Sequence, residues 1–422
     1  MLYPVSIQLP GQPTKSYSPE FQSHEQHSRA WKSVLQRAYQ TGAVTCACPG
    51  RGEKQLAIKH YDQQDVYGLA RFGNSGAQHA HDCRFFSLAS GVSGYSKGVI
   101  SEDADGGIRI RLGVGLTKRP AHNNTATEVC PYSILPQSGS RPTQADMKLL
   151  GLLHLLWDNA GLNIWWPAMR GKRSLDLINR QLEKVAMTIT ANRINLDSVL
   201  LLPAQDDKGK WAQQNKERVA QAVSSRRRLV AIVQLVKYSP VADAEMSSTL
   251  KIACFYGFPW PKMTPLIWLE ILRRFPRAIA AWKQGHRVIG VALLDLLPNG
   301  KAANVLDLAL MPVTKTWIPF DSMYELTIAE KLITETRGFI KPLRYDASED
   351  VVFPDFVLLD MDKNTPLEVF GMTNETYLVR QSEKTAHYLA HYGTDHWWCW
   401  NAATDPKGEN IPPFPERRQN FK

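Results

Sequence analysis

Two acids set in apolar surroundings and one group of sulfur and imidazole ligands stand out in this 422-residue chain for the chemistry their types and spacing allow. Asp355 heads the apolar run Phe353-Pro354-Asp355-Phe356-Val357-Leu358-Leu359. Glu368 lies inside Pro366-Leu367-Glu368-Val369-Phe370-Gly371, after a turn. An unpaired buried charge costs on the order of several kcal/mol or more, so apolar strands do not hold lone acids without a reason. A shared divalent metal ion is one such reason. A helix-patterned segment follows, and Tyr377, Arg380 and Lys384 fall on one face of it at spacings of three and four.

The second group is near the N-terminus. Cys46 and Cys48 sit in Thr45-Cys46-Ala47-Cys48-Pro49-Gly50, where a tight turn can present both sulfurs to one point. Downstream, His79-Ala80-His81-Asp82-Cys83 supplies a third thiol and two imidazoles. Cys46, Cys48, Cys83 and His79, or His81 in place of His79, would complete a tetrahedral zinc site. Four protein ligands leave no open position, so the expected role is structural. Buried free thiols with solvent-facing histidines, or a redox pair at Cys46 and Cys48, are the alternatives. Cys130 is assigned no role.

The elements that must position these residues follow from periodicity and punctuation. A helix is expected over 323–337, capped by Asp321 or Ser322, with Leu326, Ala329, Leu332 and Ile333 as its buried stripe and Glu325 and Glu330 off it. Strands are expected over 351–360 and 365–370, a helix over 375–392 and a last strand over 397–400. In the middle of the chain, helices are expected over 147–157 and 175–187. A strand is expected over 229–236, after the basic triplet Arg226, Arg227 and Arg228, which could meet phosphates. Asn299-Gly300 marks a hairpin between 288–297 and 303–311. Residues 204–218 read as an exposed loop or helix end, and 5–28 as a loose arm. The fold expected is α+β and multidomain. Residues 1–140 form a small β-rich, zinc-stabilised domain and 144–320 an α+β middle. Residues 321–402 form an α/β C-terminal core, and 403–422 a loose tail.

The C-terminal order of helix, strands, helix and strand, with Pro354-Asp355 and then Glu368 13 residues on, resembles the PD-(D/E)XK nuclease superfamily. The resemblance implies a restriction-endonuclease-like core, a mixed sheet flanked by helices. It implies that Asp355 and Glu368 hold Mg2+ or Mn2+, with the main-chain carbonyl of Phe370 as a third oxygen ligand. The family's lysine lies two residues after the second acid, and Phe370 stands there. Lys384 on the following helix is the implied substitute, as in members whose lysine has moved. Glu325 resembles the acid that some members contribute from their first helix, and Arg380 and Tyr377 would face the nucleic acid. The implied activity is metal-dependent hydrolysis of DNA phosphodiester bonds; the alternative is an inactive nuclease fold kept for nucleic-acid binding or scaffolding. The whole chain also resembles an uncharacterised bacterial family marked by three N-terminal cysteines and associated with mobile elements, matched here by Cys46, Cys48 and Cys83.

Fifty basic against forty acidic residues give a net charge of +10, which fits a polyanionic partner such as DNA. Six sparse cysteines argue against a secreted disulfide framework. The longest apolar run, 149–157, is cut by His154 and falls short of a membrane span. A cytoplasmic protein is expected.

Overall fold

The computed structural model of the chain describes residues 2–61, 65–72, 75–80, 83, 85, 99–102, 107–118, 146–343, 354–372, 375–394 and 396–417. His81 and Cys130 lie outside them, as do the first three residues of the strand expected over 351–360. The architecture is α+β, with four sheets among the described residues.

The N-terminal sheet is antiparallel throughout. Its spatial order is Lys15–Tyr17, Val5–Gln8, Ala43–Cys46, Gln55–Tyr61 and Val66–Arg71. The stretch expected as a loose arm therefore supplies two strands. Val5 and Ile7 alternate inward and pair with Cys46 and Val44, an apolar pattern too short to outweigh the Gln- and Ser-rich flanks in a sequence reading. The helix Ser28–Ala38 packs Val34, Leu35 and Ala38 against this sheet's core.

A small sheet joins the strand Ile108–Ile110 in parallel to Ile189–Ala191. The largest sheet runs Leu200–Leu201, Leu229–Leu235, Arg287–Leu296, Ala302–Val313 and Trp260–Lys262, with Ile252–Ala253 paired to Leu229–Leu235. Its two long strands form the hairpin expected around Asn299-Gly300, Leu296 facing Ala303 and Gly300 in the left-handed region at φ +67°. The nearly all-apolar helix Leu149–Asn159 is buried in the same core. Residues 210–224 form a helix burying Trp211, Ala212, Asn215 and Arg218, so 204–218 is only in part the exposed segment expected from its polar composition. Its buried Arg218 pairs with Asp197 at 2.5 Å, a contact no local pattern announces.

The C-terminal sheet carries the acids. It comprises β1 (Ile164–Trp165), β2 (Phe339–Ile340), β3 (Phe356–Leu358), β4 (Thr365–Val369) and β5 (Trp398–Trp400), in the spatial order β5-β4-β3-β2-β1. β2, β3 and β4 form an antiparallel meander; β5 returns parallel to β4. Helix α1 (Met323–Thr334) precedes the meander, and α2 (Glu375–Tyr392) links β4 to β5. The parallel return needs such a crossover, which a tight turn cannot supply. Phe339, Phe356, Leu358, Leu367 and Trp400 build the core beneath, joined by Trp165, Ile318 and Phe414. Phe414, expected in a loose tail, is buried there, and the Trp398 indole N–H donates to the Pro413 carbonyl at 3.1 Å.

Candidate functional site

The acid cluster is assembled from α1, β2, β3, β4 and α2. The β3–β4 register pairs Phe356 with Leu367, and one further antiparallel step sets Asp355 opposite Glu368. Residues opposite one another project to the same sheet face. Asp355 also accepts a hydrogen bond from the Val369 N–H at 2.7 Å, which fixes the strand end. Glu368 is 1% exposed. Both its oxygens accept from Lys384 Nζ at 2.9 Å, and Oε1 also accepts from the Tyr388 hydroxyl at 2.6 Å. Lys384 is thus brought to the acids from the next helix. Tyr377 reaches the same end of the sheet, its hydroxyl accepting from the Gly371 N–H at 3.3 Å. Arg380 lies in α2, and its side chain is outside the described set.

Glu325 is buried, not off the buried stripe of α1 as periodicity suggests. Its partner is Lys341 just after β2, whose Nζ lies 2.7 Å from Glu325 Oε2 and 3.0 Å from Asp321. Lys341 is 3% exposed, and its main chain exchanges hydrogen bonds with Asn163. Three buried or half-buried carboxylates (Glu325, Asp355, Glu368), with Asp321 at the rim, face two ammonium groups, Lys341 and Lys384. Positive charge is in deficit. Accordingly, burial first and the Glu368 charge second push Asp355 up to about 7. Burial, with Asp321 and Asp355 adding to it against Lys341, pushes Glu325 up to about 7. Burial would depress Lys341, but Asp321, Glu325 and Asp355 outweigh it and hold the ammonium charged. Burial and the Glu368 charge raise Tyr388, which stays a neutral donor.

The Phe370 carbonyl does not turn toward the acids. It accepts from Ala403 N at 3.0 Å, and Phe370 N donates to Trp400, both on the β5 side. Backbone groups alternate sides along a strand, so the Val369 carbonyl, whose N–H meets Asp355, is the one on the acid side. Sequence reading missed Lys341 and Tyr388. Lys341 was discoverable as a lone charge in the apolar run Phe339-Ile340-Lys341-Pro342-Leu343, and Tyr388 as the residue four beyond Lys384 on one helix face.

Arg226, Arg227 and Arg228 sit at the entry to the strand Leu229–Leu235. Arg226 is exposed and left-handed at φ 52°, while the Arg228 guanidinium donates to the Gly115 carbonyl at 2.8 Å. Among the described residues, nothing joins this triplet to the acid cluster.

The sulfur cluster comes together as expected. Cys46, Cys48, His79 and Cys83 are buried, and one ligand atom from each lies within 4.8 Å of all the others. Among the described residues this is the one group of three or more His, Cys, Asp or Glu ligands so close. Sγ of Cys46 and Cys83 are 3.7 Å apart, and His79 Nδ1 lies 3.6 Å from Cys48 and 3.7 Å from Cys83. A tetrahedron with Zn–S of about 2.3 Å has edges of about 3.8 Å, so these spacings suit a metal ion such as zinc. The Ala80 N–H donates to Cys48 Sγ at 3.3 Å. Gly50 makes the approach possible, because a Cβ there would stand 2.2 Å from the Gln78 carbonyl oxygen. Without a metal, the contact with Cys83 lowers the Cys46 thiol, while that same contact and burial raise Cys83.

Residues 17–403 match the family described as Protein of unknown function (DUF1173), and the chain belongs to it. No curated protein and no solved structure matches the chain. No helix among the described residues is long and apolar enough to cross a membrane.

Proposed function

We propose that the chain is a metal-dependent phosphodiesterase acting on DNA, with a C-terminal core of the PD-(D/E)XK kind and a structural Zn2+ at Cys46, Cys48, His79 and Cys83. The observation carrying this reading is Lys384 at 2.9 Å from both oxygens of Glu368, with Asp355 opposite on the neighbouring strand. An Asp, a Glu and a Lys from β3, β4 and α2 meet at one sheet end. The sequence of helix, antiparallel meander, helix and parallel strand supports the same reading.

The donor set fits a hard divalent cation. It offers carboxylate and carbonyl oxygens, and the charge deficit that raises Asp355 is the kind a cation relieves. When bound, Mg2+ or Mn2+ supplies an acidified water and neutralises charge on the phosphate. The residues that would hold it are Asp355, Glu368 and the Val369 carbonyl. Lys384 orients Glu368 and stands ready to hold a proton near the attacking water. Glu325, clamped by Lys341, sets the field around Asp355, and Tyr377 flanks the approach to the acids; Arg380 on the same helix is assigned to contact with the nucleic acid.

A second reading is that of a nucleic-acid-binding or scaffold protein with a retired core. It is favoured by Phe370 at the usual lysine position and by the engagement of both Glu368 oxygens by Lys384 and Tyr388. The test is an incubation of single-stranded, duplex and branched DNA with the protein and Mg2+ or Mn2+. Cleavage is expected, falling at least about 100-fold in Asp355→Asn and Lys384→Ala while DNA binding persists. Binding without cleavage in the parent protein selects the second reading, and undiminished cleavage by Asp355→Asn removes the assignment of the site.

A further inference from the structure

The loop between the strands Ile252–Ala253 and Trp260–Lys262 holds two large aromatic rings out in solvent, and the strand that follows it holds a third. Phe255 is 50% exposed, Tyr256 43% and Trp260 53%. The Phe255 and Tyr256 rings lie stacked and nearly parallel, 12° apart, with centroids at 5.7 Å. Trp260 and Lys262 point outward from the same face of an edge strand.

This display is rigidly built. Cys254 is held in the left-handed region at φ 57°, a costly conformation for a residue with a Cβ. Gly257, at φ +78°, sits where a Cβ would stand 2.4 Å from the Ala212 carbonyl oxygen. Asn215, fully buried, donates to the Tyr256 carbonyl at 3.1 Å and to the Leu202 carbonyl at 2.8 Å. The Ala204 N–H donates to the Cys254 carbonyl at 2.6 Å. Local strain and a buried amide thus fix rings that the hydrophobic effect alone would turn inward.

Positive charge stands beside Trp260. Lys262 and Lys301 flank Trp260, whose N–H donates to the Lys301 carbonyl at 2.8 Å. Neither lysine has a carboxylate partner among the described residues. Exposed rings, one of them between two ammonium groups, suit the bases and phosphates of an unpaired strand. A duplex hides its base faces and offers no such match.

We propose that Phe255, Tyr256 and Trp260, with Lys262 and Lys301, form a stacking platform for the unpaired bases of single-stranded nucleic acid. The platform lies outside the acid cluster and does not depend on phosphodiester cleavage. Its test therefore uses Asp355→Asn protein in buffer without added divalent metal. Fluorescein-labelled 20-residue oligo-dT, oligo-U and a matched duplex are titrated by anisotropy. Tighter binding of either single strand than of the duplex is expected, with quenching of tryptophan fluorescence. Added Trp260→Ala, or Phe255→Ala with Tyr256→Ala, weakens single-strand binding about tenfold, as loss of one stacked base does. Added Lys262→Gln lowers its salt dependence. Thermal melts of these surface variants are expected to match the parent. Three results overturn the proposal: no single-strand binding by the parent, unchanged binding by the aromatic variants, or a change of molecular mass in light scattering without a change in oligonucleotide binding. The last identifies the face as a protein contact.

Discussion

At the residue scale, the acid cluster ties stability to pH. Asp355 and Glu325 hold protons up to about 7 when folded, against ordinary values of 3.8 and 4.5. Between these limits the native chain binds more protons than the unfolded one, so each group's contribution to stability falls as pH rises toward 7 and then levels off. The metal-free parent is expected to melt at nearly the temperature of Asp355→Asn at pH 5 and several degrees below it at pH 8; scanning calorimetry with and without Mg2+ checks this, and equal melting at both pH values refutes it. Lys341→Met leaves Glu325 buried beside Asp355 without its partner and is expected to cost about 3–5 kcal/mol. Adding Glu325→Gln should recover much of that loss in a urea titration. Spacing in the sequence puts Lys384 on one helix face with Tyr377 and Arg380, and the PD-(D/E)XK resemblance is what implies its approach to the acids. Lys341 leaves a fainter mark, a lone charge in an apolar run with no periodicity to say what it meets.

At the scale of elements, the Cys-Ala-Cys-Pro-Gly knuckle and the His79–Cys83 segment form one unit. The spacing of ligands in the sequence picks out the three cysteines and leaves His79 and His81 as alternatives, between which the fold brings in His79; the Gly50 contact that presses the two backbones together is not legible, since it depends on a partner 28 residues away. Gly50→Ala should force the Gln78 backbone aside, loosen the ligand set and lower the metal content measured by mass spectrometry from one zinc per chain toward none. Cys48→Ser should do the same and reduce the cooperativity of N-terminal unfolding. A folded parent that contains no metal would end the zinc proposal. The short strands Val5–Gln8 and Lys15–Tyr17 show why local reading stops here: their pairing with each other, and that of Val5–Gln8 with Ala43–Cys46, outweighs a composition that favours loops.

At the scale of the whole molecule, several contacts cross the boundaries expected from the sequence. The strand Ile108–Ile110 joins Ile189–Ala191, and the Arg71 guanidinium donates to Asn159 at 2.9 Å. Phe414 fills the C-terminal core from beyond the last strand. Phe414→Ala is expected to cost about 3–5 kcal/mol, the range for emptying a buried aromatic site; a change below about 1 kcal/mol in urea unfolding would show that the core closes without it. Long-range pairings of this kind leave no trace in local propensity, which is why the order of elements was readable and their partners were not.

The two-residue strand β1 has a practical consequence. It protects the rim of the C-terminal sheet, although it is encoded more than 150 positions upstream of the acids. A protein begun at residue 321 would bare the N–H and C=O row of Phe339 and Ile340, an invitation to sticky self-association. Anyone isolating the C-terminal half for biochemistry should therefore begin ahead of Ile164.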